Sequence, residues 1–401
     1  MSGIAPKEAR LLDGIETGPM LDQTLHWAAI NSGTGNLAGL AAMAEKLAAA
    51  FSSLPGEVAL REPAPVEIIG ADGRASQRQH GRHLLVGVRP ETQRRVLLTG
   101  HMDTVFAADH SFQHCQWLDE TTLRGPGTAD MKGGLALMLA ALLAFERGQP
   151  ALGYDVLINS DEETGSKSSA DAIRELAQGK LAALTYEPAL PGGSMARARP
   201  GSGNFAAVFH GRSAHAGRNP EDGRNAVVAA SDLALRLAKA AHPGLKVNPA
   251  RIDGGGPDNL VPDLAVLRFN LRPAAAADGL AAQALLDLTI AEVAQAHRVS
   301  IHLHGGFGRP PKPISPATER LFALVTQTSR DLGQELGWQD TGGVCDGNNI
   351  AAAGVPVIDT MGACGGMIHS DEEFLLVGSL ADRARLSALV LHRLDRGDFA
   401  P

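Results

Sequence analysis

"YDVLINSDEETGS", residues 154–166, runs an apolar, strand-like segment straight into three adjacent acids, Asp161, Glu162 and Glu163. Neighbouring carboxylates repel and resist desolvation. A buried strand that ends on them marks either a plain surface turn or a place where a cation removes the penalty. The strand belongs to a wider rhythm. Before it, "RVLLTGHMD" reads as a buried strand and "GGLALMLAALLAFERG" as a long helix ending at Gly148. After it come "SSADAIRELAQG", a helix with Gly179 as its C-cap, and the strand "KLAALTYEP". This alternation predicts an α/β domain on a mostly parallel sheet, with helices on both faces and polar loops opening at one edge.

From about Gly201 the pattern changes. "NFAAVFHG" alternates like a half-buried strand, and "RNAVVAASDLALRLAKAA", "LAVLRFNLRP", "LAAQALLDLTIAEVAQAH" and "VSIHLHG" read as helix, strand, helix and strand. These form a smaller α+β insert. The prolines of "GFGRPPKP" end it, and helix and strand patterns then resume through "GVPVIDTMG" and "LADRARLSALVLHRL". The expected organisation is a first domain over 1–198, an insert over 199–307, and completion of the first domain by 308–401.

A chain of 401 residues exceeds what one hydrophobic core supports, so two domains are the prior. A net charge of −8 without any Lys/Arg block argues against a nucleic-acid or anionic-membrane partner. Cys115, Cys345 and Cys364 are odd in number and far apart, which suggests neither a disulfide framework nor a CxxC metal site. With no apolar leader and no apolar stretch of membrane-spanning length, the expected location is cytoplasmic. The glycine-rich "NSGTGN" (31–36) has no strand before it and no third glycine, and it reads as the entry to a helix rather than a phosphate loop.

Several polar clusters fall at strand ends. "LLTGHMDTVF" ends in His101 and Asp103, whose i, i+2 spacing lets the histidine face a site while the acid orients its ring. "RGPGTADMKGG" sets Asp130 in a glycine loop before a helix, "TYEP" carries Glu187, and "MIHSDEEF" carries His369. Singly, each is more often a capped strand end or a solvated loop residue. Together they form an N/O ligand set suited to two Zn²⁺-like ions sharing a carboxylate. Of the adjacent Glu162 and Glu163, one can bind metal while the other stays free as a base.

In order, "GHMDTV", "GPGTADMKGG", "SDEETGS", "YEP" and "GGMIHSDEEF" resemble the signature of the M20 metallopeptidases, the aminoacylase and carboxypeptidase G2 group. The resemblance spans nearly the whole chain. It implies that His101, Asp130 and Glu187 hold one zinc and that Asp130, Glu163 and His369 hold the other, with Co²⁺ or Mn²⁺ as possible substitutes. Glu162 matches the general base and Asp103 the acid behind the ligand histidine. It also implies a cis peptide after Asp130 and a zinc-peptidase fold whose smaller lid domain makes a homodimer.

In the insert, the resemblance matches His215 of "GRSAHAG" to a residue that reaches the partner subunit's active site and stabilises the oxyanion. It matches Asn259 and Arg272 to residues that hold a substrate carboxylate, a task for which a bidentate guanidinium is well suited. Arg309 and Thr341 fall where glutamate carboxypeptidase-type members have side-chain pocket residues, and Asp346 neighbours that loop. A lysine of that group is replaced by Met195. The implied function is a dinuclear zinc carboxypeptidase acting on a small peptide. The alternatives are an N-acyl-amino-acid deacylase with the same metal chemistry and, from another class, a catalytically silent metal-bound binding protein. Against the last stands Glu162, because a structural site needs no free base.

Overall fold

A computed structural model describes residues 3–401. The main sheet has six strands, in the order Glu57–Arg61, His83–Val88, Gly153–Asn159, Arg95–His101, Ala182–Thr185 and Val357–Ile358. The last four run parallel, as the alternation predicts, whereas the first two attach antiparallel. Side chains alternate between two cores, as strand geometry requires. Val96 and Leu98 face a large core closed by the helices Leu37–Phe51, Gly133–Arg147 and Ser379–Arg396. Leu97, Leu157 and Ala183 face a smaller one closed by Ala170–Ala177 and Asp346–Ala352. Helices therefore cover both faces. Contrary to the expectation of no apolar stretch of membrane-spanning length, the run Thr128–Arg147 is long and apolar enough to cross a membrane, yet 89% of its apolar window is buried inside the protein, which accounts for its apolarity.

The C-terminal segment completes this layer through Val357–Ile358 and the helix Ser379–Arg396, which packs on Gly133–Arg147. Between the two passes of the chain lies a four-stranded antiparallel sheet in the order Leu245–Gly254, Leu264–Pro273, Ser202–His210 and Ser300–Arg309. Helices Ala226–Lys239 and Ala276–His297 cover one face and share a separate core with it. The edge strand Leu245–Gly254 is absent from the sequence reading because its polar, exposed residues mimic a loop.

The two connections to this insert cross as a pair. Arg199 and Lys312 exchange backbone hydrogen bonds of 3.2 and 2.9 Å. Their side chains converge on Asp359, with Arg199 Nε at 2.7 Å and Lys312 Nζ at 2.9 Å. Burial pushes the Asp359 carboxyl up, but the two cations outweigh it and hold it below its ordinary range.

Candidate metal centre

Strand ends of the main sheet bring the acidic residues together, as expected for an open α/β sheet. His101 ends its strand with Nε2 at 3.1 Å from Asp130 Oδ1 and 3.8 Å from Glu187 Oε2. On the other side of Asp130, His369 Nε2 lies 3.3 Å from Asp130 Oδ2 and 3.2 Å from Glu163 Oε2. Potential ligand atoms of His101, Asp130 and Glu187 all lie within 4.8 Å of one another, and those of Asp130, Glu163 and His369 do likewise. Asp130 is common to both groups. The peptide bond between Asp130 and Met131 is cis.

These residues fit divalent cations on chemical grounds. Glu187 Oε1 is buried and has no hydrogen-bond partner. Burial, and then the charge of Asp130, push Glu163 up to about 8. The pocket therefore resists holding all its carboxylates ionised without a counter-charge, and two imidazoles among three carboxylates form a donor set for Zn²⁺, Co²⁺ or Mn²⁺.

Glu162 lies outside both groups. Burial pushes it up to about 7 although the Arg309 guanidinium beside it acts the other way. Asp103 lies behind the His101 ring with its backbone carbonyl as well as its carboxylate. The backbone carbonyl of Asp103 is 3.0 Å from His101 Nδ1, with the carboxylate at 3.4 Å. That carboxylate accepts the backbone N–H groups of Glu162 and Glu163 at 3.1 and 3.2 Å and the Thr34 hydroxyl at 2.7 Å. It thus fixes the turn bearing both glutamates.

Glu373, in the same "HSDEEF" stretch as His369, is absent from the sequence reading as a site residue. Its buried carboxylate accepts the N–H groups of Gly127, Ala129 and Asp130 at 3.0, 2.9 and 3.0 Å. One loop carrying a potential ligand thereby holds the other. Three consecutive acids beside a histidine hint at such a role, but only the fold shows which one turns inward.

A cleft of about 440 Å³ opens over the centre, walled by Glu162, Glu163 and His369 on one side and by Asn204, Arg272 and Arg309 of the insert on the other. Arg272 donates from Nε to Asn270 Oδ1 at 3.0 Å and from Nη1 to the Gly342 carbonyl at 2.9 Å. Arg309 is buried and engages Glu162 as well as lining the cleft. Thr341 accepts the Gly343 N–H at 3.3 Å, while Gly343 and Val344, not Thr341, wall the cleft. Met195 lies in the main core. Asp346 is buried between Asn159, Ser166 and Arg309.

His215 and Asn259 do not reach this cleft in the single chain. They sit on paired, exposed loops joined by Ala216 N–H to Asn259 O at 2.8 Å. His215 Nδ1 accepts the N–H groups of Gly217 and Arg218 at 3.1 and 3.2 Å. In the neutral ring this leaves the proton on the outward Nε2.

Residues 97–393 match the model of "Peptidase family M20/M25/M40". The chain is 30% identical to carboxypeptidase G2 of Pseudomonas sp. (strain RS-16), an alignment covering 92% of this chain and 87% of that protein. It is 28% identical to succinyl-diaminopimelate desuccinylase of Maricaulis maris (strain MCS10), over 71% of this chain and 77% of the other. The fold matches the M20 family metallo-carboxypeptidase Sso-CP2 of Sulfolobus solfataricus with a TM-score of 0.73 at 13% identity, covering 94% of this chain and 99% of that one.

Proposed function

Since this chain belongs to peptidase family M20/M25/M40, a family of metal-dependent hydrolases, we propose that it is a dinuclear zinc enzyme cleaving an amide or peptide bond next to a free carboxylate. Within the family it acts as a carboxypeptidase of the glutamate carboxypeptidase type. The observation that carries this reading is Glu162, a buried carboxylate adjacent to Glu163 in sequence and outside both candidate ligand groups.

In this reading His101, Asp130 and Glu187 would hold one ion and Asp130, Glu163 and His369 the other, Asp130 being common to both groups. Bound there, such cations would supply Lewis-acid chemistry toward the scissile carbonyl and a water. Glu162 accepts a proton from that water as it adds to the carbonyl carbon. It then returns the proton to the leaving nitrogen as the C–N bond breaks. Asp103 keeps Glu162 in place through the backbone of residues 162 and 163. Arg272, on the insert side of the cleft, receives the substrate carboxylate.

Oxyanion stabilisation comes from His215 of a second copy, and Asn259, on the loop paired with it, joins Arg272 in holding the substrate carboxylate. The outward Nε2–H of His215 is a suitable donor, and the exposed Leu235, Leu280 and Leu288 on the insert's helices support a homodimer through this unit. The desuccinylase relative supports the second reading, a deacylase of N-acyl amino acids, which presents the same amide and free carboxylate.

The test is a substrate screen of the zinc-loaded protein with dipeptides and N-acyl amino acids ending in Glu, Asp, Ala and Leu, each paired with its C-terminal amide. Hydrolysis should require the free acid. Equal turnover of acid and amide forms, or none of either, rejects the reading.

A further inference from the structure

A second cavity of about 440 Å³ adjoins the metal centre. Glu163 and Thr164 are the only residues it shares with the cleft that carries Arg272. Its other walls come from Gly33–Asn36 and Thr104–Ala108, so the "NSGTGN" stretch helps to build the site's surroundings.

The two loops are zipped together. Thr34 N–H donates to Thr104 O at 3.2 Å, Thr104 N–H donates to Ser32 O at 3.0 Å, and Asn31 Nδ2 donates to the carbonyls of Phe106 and Ala107 at 3.2 and 3.1 Å. A Cβ on Gly33 would lie 2.1 Å from Phe106 O, so only glycine permits this approach. The cavity wall is therefore held by backbone and amide contacts.

The chemistry of the two spaces differs. Lys167, Arg272 and Arg309 line the first, whereas Glu163 is the only charged side chain lining the second, and it belongs to a candidate ligand group. The rest of the second is small and neutral, with Val105 42% exposed at its surface. An amide cleaved above Glu163 has one substituent on each side. Its carboxylate-bearing half pairs with the cations. A free ammonium on the other half would find no uncommitted carboxylate.

We propose that the cavity between Gly33–Asn36 and Thr104–Ala108 binds the acyl side of the scissile amide, and that Gly35 and Val105 set its size and neutrality. It admits an uncharged, apolar acyl group in preference to a free α-amino terminus. This rests on the hydrolase reading above and narrows its substrate class.

Gly35 permits a direct test, since a Cβ there meets nothing within 4 Å and its backbone lies outside the left-handed region. The probes are N-acetyl-glutamate, N-benzoyl-glutamate and the free-amino dipeptide leucyl-glutamate. Gly35→Leu should lower the benzoyl-to-acetyl ratio of kcat/KM by about 10-fold or more, because the new side chain fills acyl space. Val105→Asp should raise the ratio of leucyl dipeptide to N-benzoyl by a similar factor. Calorimetric Kd values for the same ligands on the Glu162→Gln protein, with and without Gly35→Leu, supply a readout free of turnover, and weakening confined to the benzoyl compound is expected. Unmoved ratios and an unmoved benzoyl Kd overturn the subsite, even where hydrolysis next to a free carboxylate is established. If nothing is hydrolysed, the hydrolase reading fails instead, and the Kd comparison still decides what the cavity binds.

Discussion

Arg309 Nη2 donates to Glu162 Oε1 at 2.7 Å and to the Glu162 carbonyl at 3.0 Å, so the last strand of the insert closes onto the carboxylate at the centre of the proposed chemistry. The same nitrogen reaches Ser166 Oγ at 2.7 Å. A glutamine at 162 keeps an acceptor for this guanidinium but cannot take up a proton. Glu162→Gln should therefore retain the wild-type metal content while the turnover number falls by at least about 100-fold. Metal analysis run beside kinetics decides this. Loss of a metal equivalent would mean that the roles of Glu162 and Glu163 are exchanged.

Glu373 joins the two loops that carry Asp130 and His369. Glu373→Ala leaves the N–H groups of Gly127, Ala129 and Asp130 without their acceptor. Metal affinity should weaken by about 10- to 100-fold, the range seen when groups behind a ligand are removed. Glu373→Gln, which keeps one acceptor oxygen, should fall between. Chelator competition measures both, and an unchanged affinity in Glu373→Ala removes the link.

The trans role proposed for His215 predicts complementation between two inactive proteins. Glu162→Gln mixed with His215→Ala, under conditions that let subunits exchange, forms mixed dimers in which one site holds an intact Glu162 and receives an intact His215. Activity should return to about a quarter of wild type for random exchange. Demonstrated exchange without activity would assign His215 to its own subunit or to a structural role.

Asp359 neutralises two buried cations at the crossing of the insert's connections, Arg199 and Lys312. Asp359→Ala strands both charges and should cost about 3–5 kcal/mol, read as a lower denaturation midpoint. The sign with pH follows from its depressed carboxyl. Its contribution is present above the unfolded pKa and is lost only as pH falls through the lower folded value. Wild type and Asp359→Asn should therefore differ at neutral pH, with the difference beginning to shrink below about pH 4 and closing only as the pH passes the lower folded value. A constant difference down to pH 2 would contradict this.

The sequence by itself determined the alternating strands and helices, the insert, and the residue types of the centre. These signals are local: the hydrophobic period, His101 at a strand end, and adjacent glutamates at a turn are all written within a few residues. The polar edge strand Leu245–Gly254 and the antiparallel attachment of Glu57–Arg61 are not, because an exposed strand differs little from a loop until a partner strand pairs with it. Only the tertiary structure decided that Asp103 caps the Glu162–Glu163 turn, that Glu373 rather than Asp371 or Glu372 holds the Asp130 loop, and that Arg309 pairs with Glu162. Those contacts join segments far apart in the chain. Their geometry depends on sheet register and on how the insert packs over the strand ends, and no local pattern specifies either.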